Sequence, residues 1–307
     1  MRKLQLQEEK GSAVIILALA MTVLLGFTAL VTDVGLLYLT NVQLSNAVDA
    51  AVLAGAQELP HNPELALQQA EDYALANGVE KEKISLEVFN DNKAIKAQAN
   101  KEVEFFFARV LGFNSGQVAH GATALVGNMV AVNGAVPLGI QEHNFQFGEQ
   151  YTLKVGAGDT DILNEEVSPG WFGALALEGP GAKLYEDNLT YGFNGELKIG
   201  DILDVQTGNI SNPTKRAIDY RMAQCTHSPY CTVDDYSRDC PKLLKVPVIE
   251  PAGHKQVRIK GFAMFLVEEV PGQGNENFVK GRFLETVTTG EIGTGSGFGL
   301  MGVKLVQ

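Results

Sequence analysis

VIILALAMTVLLGFTALV, residues 14–31, is an unbroken apolar run, and it passes without a helix-breaking proline into the alanine-rich NVQLSNAVDAAVLAGAQEL at 41–59. At about 1.5 Å of rise per residue the run is roughly 27 Å long, close to the hydrocarbon thickness of a bilayer, so it reads as a membrane anchor. Arg2, Lys3 and Lys10 precede it, and the next basic residue is Lys81. The positive-inside bias therefore puts the amino terminus in the cytoplasm and the rest outside. A cleaved secretory signal would also join a basic start to an apolar stretch. The run exceeds the usual signal core, however, and the best-placed small pair, Ala54 and Ala56, lies far past its end.

Apolar and small residues continue from 13 to about 57 with no gap longer than a turn, so a single helix of about 68 Å is expected, half in lipid and half outside. The outer half brings Val42, Leu44, Val48, Val52 and Leu53 together with Ala47, Ala50, Ala51 and Ala54, a face of small side chains that another helix or a sheet can approach closely. Asp33 stands at the membrane boundary, where an acid is costly unless it meets water or a partner.

Pro60 ends this helix. Asn62 and Pro63 open a second, as cap and first helical residue, which Asn77-Gly78 closes. The period then changes to two: Ile84, Leu86 and Val88 alternate with polar residues, Asn90-Asp91-Asn92 turns the chain, and Ile95, Ala97 and Ala99 return on a second strand. A short amphipathic helix over 105–112 and a third strand over 117–126 complete this part.

Lys10-Gly11-Ser12-Ala13, the apolar span, Asp33-Val34-Gly35 and the stretch Asn46 through Ala56 together resemble the membrane-anchored TadE/TadG-like proteins of Flp (tight adherence) pilus assembly. The hairpin and Phe106-Phe107-Ala108-Arg109-Val110-Leu111-Gly112-Phe113 resemble the next segment of that family, so the likeness runs over about 10–127. It implies a pilin-like unit, a long helix whose outer half packs on a small antiparallel sheet, and it brings no catalytic residue. Gly11 stands where prepilin-like precursors are cut, but the fifth residue after it is Ile16 rather than Glu, which argues against processing there and for an accessory role over a filament subunit.

The second half matches no motif with a transferable function and reads as β-rich, with strands at 151–155, 173–177, 201–205, 244–249, 257–267, 278–284 and 302–306 suggesting a sandwich or barrel. The fold class is thus α+β, with a cytoplasmic tail at 1–12, a transmembrane helix at 13–39, a pilin-like segment at 40–127 and a β-rich extracytoplasmic domain at 128–307. Cys225, Cys231 and Cys240 share one loop with His227, Asp234, Asp235 and Asp239. One disulfide is the first reading for an exported domain, with Cys231 and Cys240 preferred because Pro241 would hold the chain extended, and Cys225 as the alternative partner. A zinc site ranks lower, because the gap between Cys225 and Cys231 is wider than the close pairs of structural zinc sites. Asp159, Asp161, Asn164, Glu165 and Glu166 offer calcium-like oxygens without the spacing of an EF-hand. Gly297-Phe298-Gly299-Leu300-Met301-Gly302 fits a dinucleotide-binding pattern, but no helix can follow it, so it reads as a turn into a last strand.

The net charge of −12 argues against nucleic acid as a partner. No catalytic residue, metal site or cofactor is expected. The expected partners are the lipid bilayer and other pilus or secretion subunits, with homo-oligomers through the N-terminal helix. The leading function is structural, an anchored component of a Flp-type pilus or related envelope assembly. The rivals are a membrane-tethered hydrolase and a module that binds glycan or envelope polymer.

Overall fold

The computed structural model describes residues 10–154, 171–269, 271–288 and 290–306. The first helix, α1 (Lys10–Ala56), is continuous over 47 residues, about 70 Å. From Ser12 to Thr32 its side chains are bare apart from a half-buried Ala29, and protein cover begins at Asp33. The outer half then buries Leu44, Ala47, Val48, Ala51, Val52 and Ala56. The second helix, α2 (Pro63–Ala76), starts at Asn62 as expected. Asn62 helps through its backbone carbonyl, which accepts from Ala66 N at 2.8 Å, and its side chain makes no capping bond. Ala66, Ala70 and Ala74 turn inward from α2 against α1, so the crossing is built from methyl groups and glycine.

A hairpin follows, β1 (Ile84–Phe89) and β2 (Ala94–Glu104), in the register Ile84 opposite Ala99 and Phe89 opposite Ala94. Asn90, Asp91 and Asn92 all take positive φ, between 52° and 60°, a conformation that Asn and Asp tolerate better than other side chains. The long β3 (Ser115–Asn133) pairs with β2 along its first part and runs straight through the expected boundary at 127/128. Between them, the expected amphipathic helix is a single 3-10 turn, Ala108–Leu111, and Phe106, Phe107 and Val110 are exposed rather than packed in the core.

The remaining elements are β4 (Ile140–Gln141), β5 (Gln150–Lys154), β6 (Trp171–Ala176), α3 (Ala182–Tyr191), β7 (Glu196–Lys198), β8 (Ile202–Thr207), α4 (Ser211–Ala223), β9 (Leu243–Gly253), β10 (Gln256–Val267), β11 (Val279–Leu284), β12 (Thr286–Thr288), β13 (Glu291–Ile292) and β14 (Leu300–Val306). They form two sheets. One runs β1-β2-β3-β14-β12, with β7 and β13 on the far end of β3, and the other runs β4-β9-β10-β11-β5, with β8 joined to β10 and β6 to β8. All seven strands expected in the second half are present, and the α+β class with two β-sheets holds. The helices α3 and α4 are additional. Each is short and buries only three residues, too narrow a stripe to stand out as a periodic signal.

Among the described residues there are three large apolar cores, besides a small cluster of cysteines. α1 and α2 cover one face of the first sheet around Ile95, Ala97, Ala124 and Val126. The far end of β3 and the start of β14 share a core with the second sheet through Met129, Val132, Leu300, Phe262, Met264 and Leu266. α3 and α4 lie against the other face of the second sheet through Tyr185, Leu189 and Ile218, facing Leu244, Val246 and Phe265. The last strand pairs antiparallel with β3, Met301 opposite Asn128 and Val306 opposite Thr123, so strand pairing rather than a linker joins the pilin-like segment to the rest.

Candidate functional site

Three places carry unusual chemistry: the Asp33 end of the bare stretch of α1, the loop that touches the carboxy-terminal end of that helix, and a buried lysine at the end of β5. Along the bare apolar stretch, Thr22, Thr28 and Thr32 each donate their hydroxyl to the carbonyl four residues back, at 2.9 Å, so these three hydroxyl protons are satisfied within the helix. Asp33 is 3 % exposed. Its carboxylate accepts from the backbone N–H groups of Phe106 at 2.9 Å, Phe107 at 3.0 Å and Ala108 at 2.6 Å, which provides the partner that an acid at this depth requires. The loop so held presents Phe106 (71 % exposed), Phe107, Val110 (89 %) and Phe113 to the surroundings. Arg109 turns back to Glu104 at 2.6 Å.

Of the four alanines read as a packing face, Ala47 and Ala51 are fully buried within the chain's own first core, while Ala50 and Ala54 are half-buried at its edge. Gly11 lies in the first turn of α1. The acidic stretch Asp159 to Glu166, read for calcium, lies outside the described residues. The glycine-rich pattern at 297–302 is a turn into β14, with Gly299 at φ +87° and Phe298 buried. Trp171 is buried and donates to the Ala174 carbonyl at 2.6 Å.

The cysteine loop runs between α4 and β9. Cys225, Cys231 and Cys240 are buried free thiols, and among the described residues Tyr236 and Leu243 are the apolar side chains packed against their cluster. The Cys225 and Cys240 sulfurs are 3.5 Å apart, and His227 Nδ1 is 3.7 Å from the Cys225 sulfur. His227 Nε2 lies 3.1 Å from Asp239 Oδ1, and the Ser237 hydroxyl donates to the same oxygen. Burial pushes the Cys225 thiol up, but hydrogen bonds from the Cys231 backbone N–H, the His227 ring and Cys240 outweigh it and hold the group below its ordinary value. Burial raises Cys240 too, and there it prevails, leaving that thiol well above its ordinary value. Contact with Cys225, and then Asp239, raises His227. The wide Cys225–Cys231 gap counts against zinc in the sequence, although His227 and Asp239 stand in the same stretch; the close spacing there is that of Cys225 and His227, one residue apart, with Asp239 directly before Cys240.

Arg238, between the last two cysteines, reaches the end of α1. It donates to the Gln57 side-chain oxygen at 2.6 Å, the Gln57 carbonyl at 3.0 Å and Glu58 at 2.9 Å. His61 lies 3.6 Å from Glu285 nearby.

Lys154 is a third feature that the sequence did not disclose. It is wholly buried at the end of β5 and donates to two neutral amide oxygens, Asn209 at 2.9 Å and Asn277 at 2.8 Å. Burial lowers its ammonium to about 8. Between about pH 8 and 10.5 the unfolded chain keeps a proton that the folded chain has lost, so the stability contributed by this site is least below pH 8 and rises with pH through that window. Relative to Lys154→Met, the wild type should gain about 2 kcal/mol in urea unfolding between about pH 7.5 and pH 10. Parallel pH dependences in the two proteins would contradict this.

Residues 11–58 match the family model described as putative Flp pilus-assembly TadE/G-like. The chain thus carries a TadE/G-like segment, the family already suggested by its sequence, and the match covers the long helix and its exit rather than the hairpin beyond. This is a pilus-assembly family and not a known enzyme family. Comparison with curated proteins returns no match, nor does comparison with solved structures. The matched segment contains the one helix, among the described residues, that is long and apolar enough to cross a membrane.

Proposed function

We propose that the chain is a single-pass accessory component of a Flp-type pilus or related envelope assembly, with its amino terminus in the cytoplasm and everything beyond the Asp33 boundary outside. The observation that carries this reading is the abrupt change along α1. Apolar side chains are bare up to Thr32, and cover begins at Asp33, all within the segment that matches the pilus-assembly family. The Asp33 loop fits the same placement: Phe106, Phe107, Val110 and Phe113 rest in the outer interface, where aromatic side chains are favoured. The basic residues Arg2, Lys3 and Lys10 support the orientation. The missing Glu five residues after Gly11 supports an accessory role. The bare lipid-facing helix and the half-buried edge at Ala50 and Ala54 are the surfaces for other subunits or for a second copy, since association in lipid depends on close packing of small residues.

Spheroplasts treated with external protease test this. The chain should resist alkaline extraction and be trimmed from outside to a short fragment containing the span, and the intact chain should co-isolate with other pilus-assembly subunits. Cleavage only after lysis, release by alkali, or an isolated chain with no assembly partner would overturn the reading.

A further inference from the structure

The four ligand atoms of Cys225, His227, Cys231 and Cys240 all lie within 4.8 Å of one another. We propose that they bind a single zinc ion, and that this ion staples the loop which grips the outer end of α1. Tetrahedral zinc with bonds of about 2.3 Å to sulfur and 2.0 Å to nitrogen places its ligand atoms about 3.4–3.8 Å apart. The 3.5 Å between Cys225 and Cys240 and the 3.7 Å between Cys225 and His227 Nδ1 fit that spacing. A disulfide would require sulfurs about 2.05 Å apart. Three thiolates and an imidazole form a soft, closed donor set that selects zinc over the oxygen-seeking calcium and magnesium.

The surroundings are those a metal-bound histidine requires. Asp239 beside Nε2 takes that nitrogen's proton in a hydrogen bond, which leaves the Nδ1 lone pair aimed at the sulfurs, and Ser237 holds the carboxylate in place. The Ser237 backbone N–H points to the Cys231 sulfur at 3.5 Å. Zinc with three thiolates carries a net negative charge, and the buried Lys242 ammonium stands against it, bonded to the Cys231 carbonyl at 2.6 Å and lying 4.0 Å over the Tyr230 ring.

The loop also needs such a staple. From residue 224 to residue 242 it has no helix or strand, and its own apolar cluster is little more than three sulfurs flanked by Tyr236 and Leu243. Even so, it must hold Arg238 rigidly enough to place three hydrogen bonds on Gln57 and Glu58. The metal therefore fixes the β-rich region to the helix that enters the membrane.

The full-length protein, purified in detergent without reductant or added metal, should contain one zinc per chain by mass spectrometry of the metal content. Its three cysteines should resist alkylation until a chelator is added and then react together. Cobalt exchanged into the site should show thiolate charge-transfer bands and the intense visible bands of a tetrahedral centre. His227→Ala and Cys231→Ser should lose most of the zinc. Because those variants could also unfold, the wild-type metal content and alkylation pattern decide the matter. A wild-type protein without zinc, or with two of the three cysteines joined in a disulfide in the unreduced peptide map, overturns the proposal, as does zinc that both variants retain in full.

Discussion

Replacing Asp33 with Ala should destabilise the folded chain by roughly 3–5 kcal/mol, more than most single substitutions. The carboxylate accepts three backbone N–H groups at 2.6 to 3.0 Å, and Asp33 itself is 3 % exposed. A hydrogen bond to a charged group contributes about 1.5–3 kcal/mol, and the three bonds share one acceptor group, so their sum falls short of full additivity. Alanine would leave the N–H groups of Phe106, Phe107 and Ala108 without their acceptor beside the membrane surface. Asn keeps an acceptor oxygen but gives up the charge, and should cost about half as much. Urea unfolding in detergent measures the difference, and limited proteolysis reports whether the 105–113 loop has come free. Unfolding of Asp33→Ala within about 1 kcal/mol of wild type, with an intact loop, would show that the carboxylate does not hold it.

Gly55→Ala should cost about 2–4 kcal/mol, an unusual result for the substitution that ordinarily strengthens a helix. A Cβ at this position would stand 2.6 Å from the Ala66 carbonyl oxygen, 2.7 Å from Ile95 Cδ1 and 3.1 Å from Ala70 Cβ. The first of these is backbone of α2 and cannot swing aside, so the two helices would have to part. Gly35 in the same helix is the control, since nothing lies within 4 Å of its added Cβ and Gly35→Ala should be neutral or stabilising. Thermal unfolding of the two variants side by side checks the contrast, and equal melting temperatures would contradict the close crossing.

The features that the sequence made legible are those written in local period and composition. The apolar run at 14–31, the alanine-rich continuation, the Asn-Asp-Asn turn and the alternating strands each announce themselves within a dozen residues, and each is present in the fold. What stayed hidden depends on partners distant in the chain. Asp33 is recognisable as an acid at a boundary, but its partners lie more than seventy residues later and are backbone groups, which leave no residue signature. The 105–112 segment has the pattern of an amphipathic helix, yet Phe106, Phe107 and Val110 are exposed, on a 3-10 turn whose start is bonded to that carboxylate. Lys154 looks like an ordinary strand-end lysine until Asn209 and Asn277 close over it. In the cysteine loop the residue types were visible, but their convergence on one point was not, because the chain between them follows no regular period.

On the proposed topology, the pairing of β14 with β3 sets an order of events during export. A chain crossing the membrane from its amino end delivers α1, α2 and the first three strands early, but one edge of β3 over 123–128 finds its partner only when residues 300–306 have also crossed. Until then the newly arrived segment carries an open strand edge beside its anchor, the kind of template on which neighbouring nascent chains pair with each other. Chains halted before residue 300 should therefore clump at the membrane instead of waiting as folded stubs, and delivery of the final strand is the step that makes each copy safe to crowd among others.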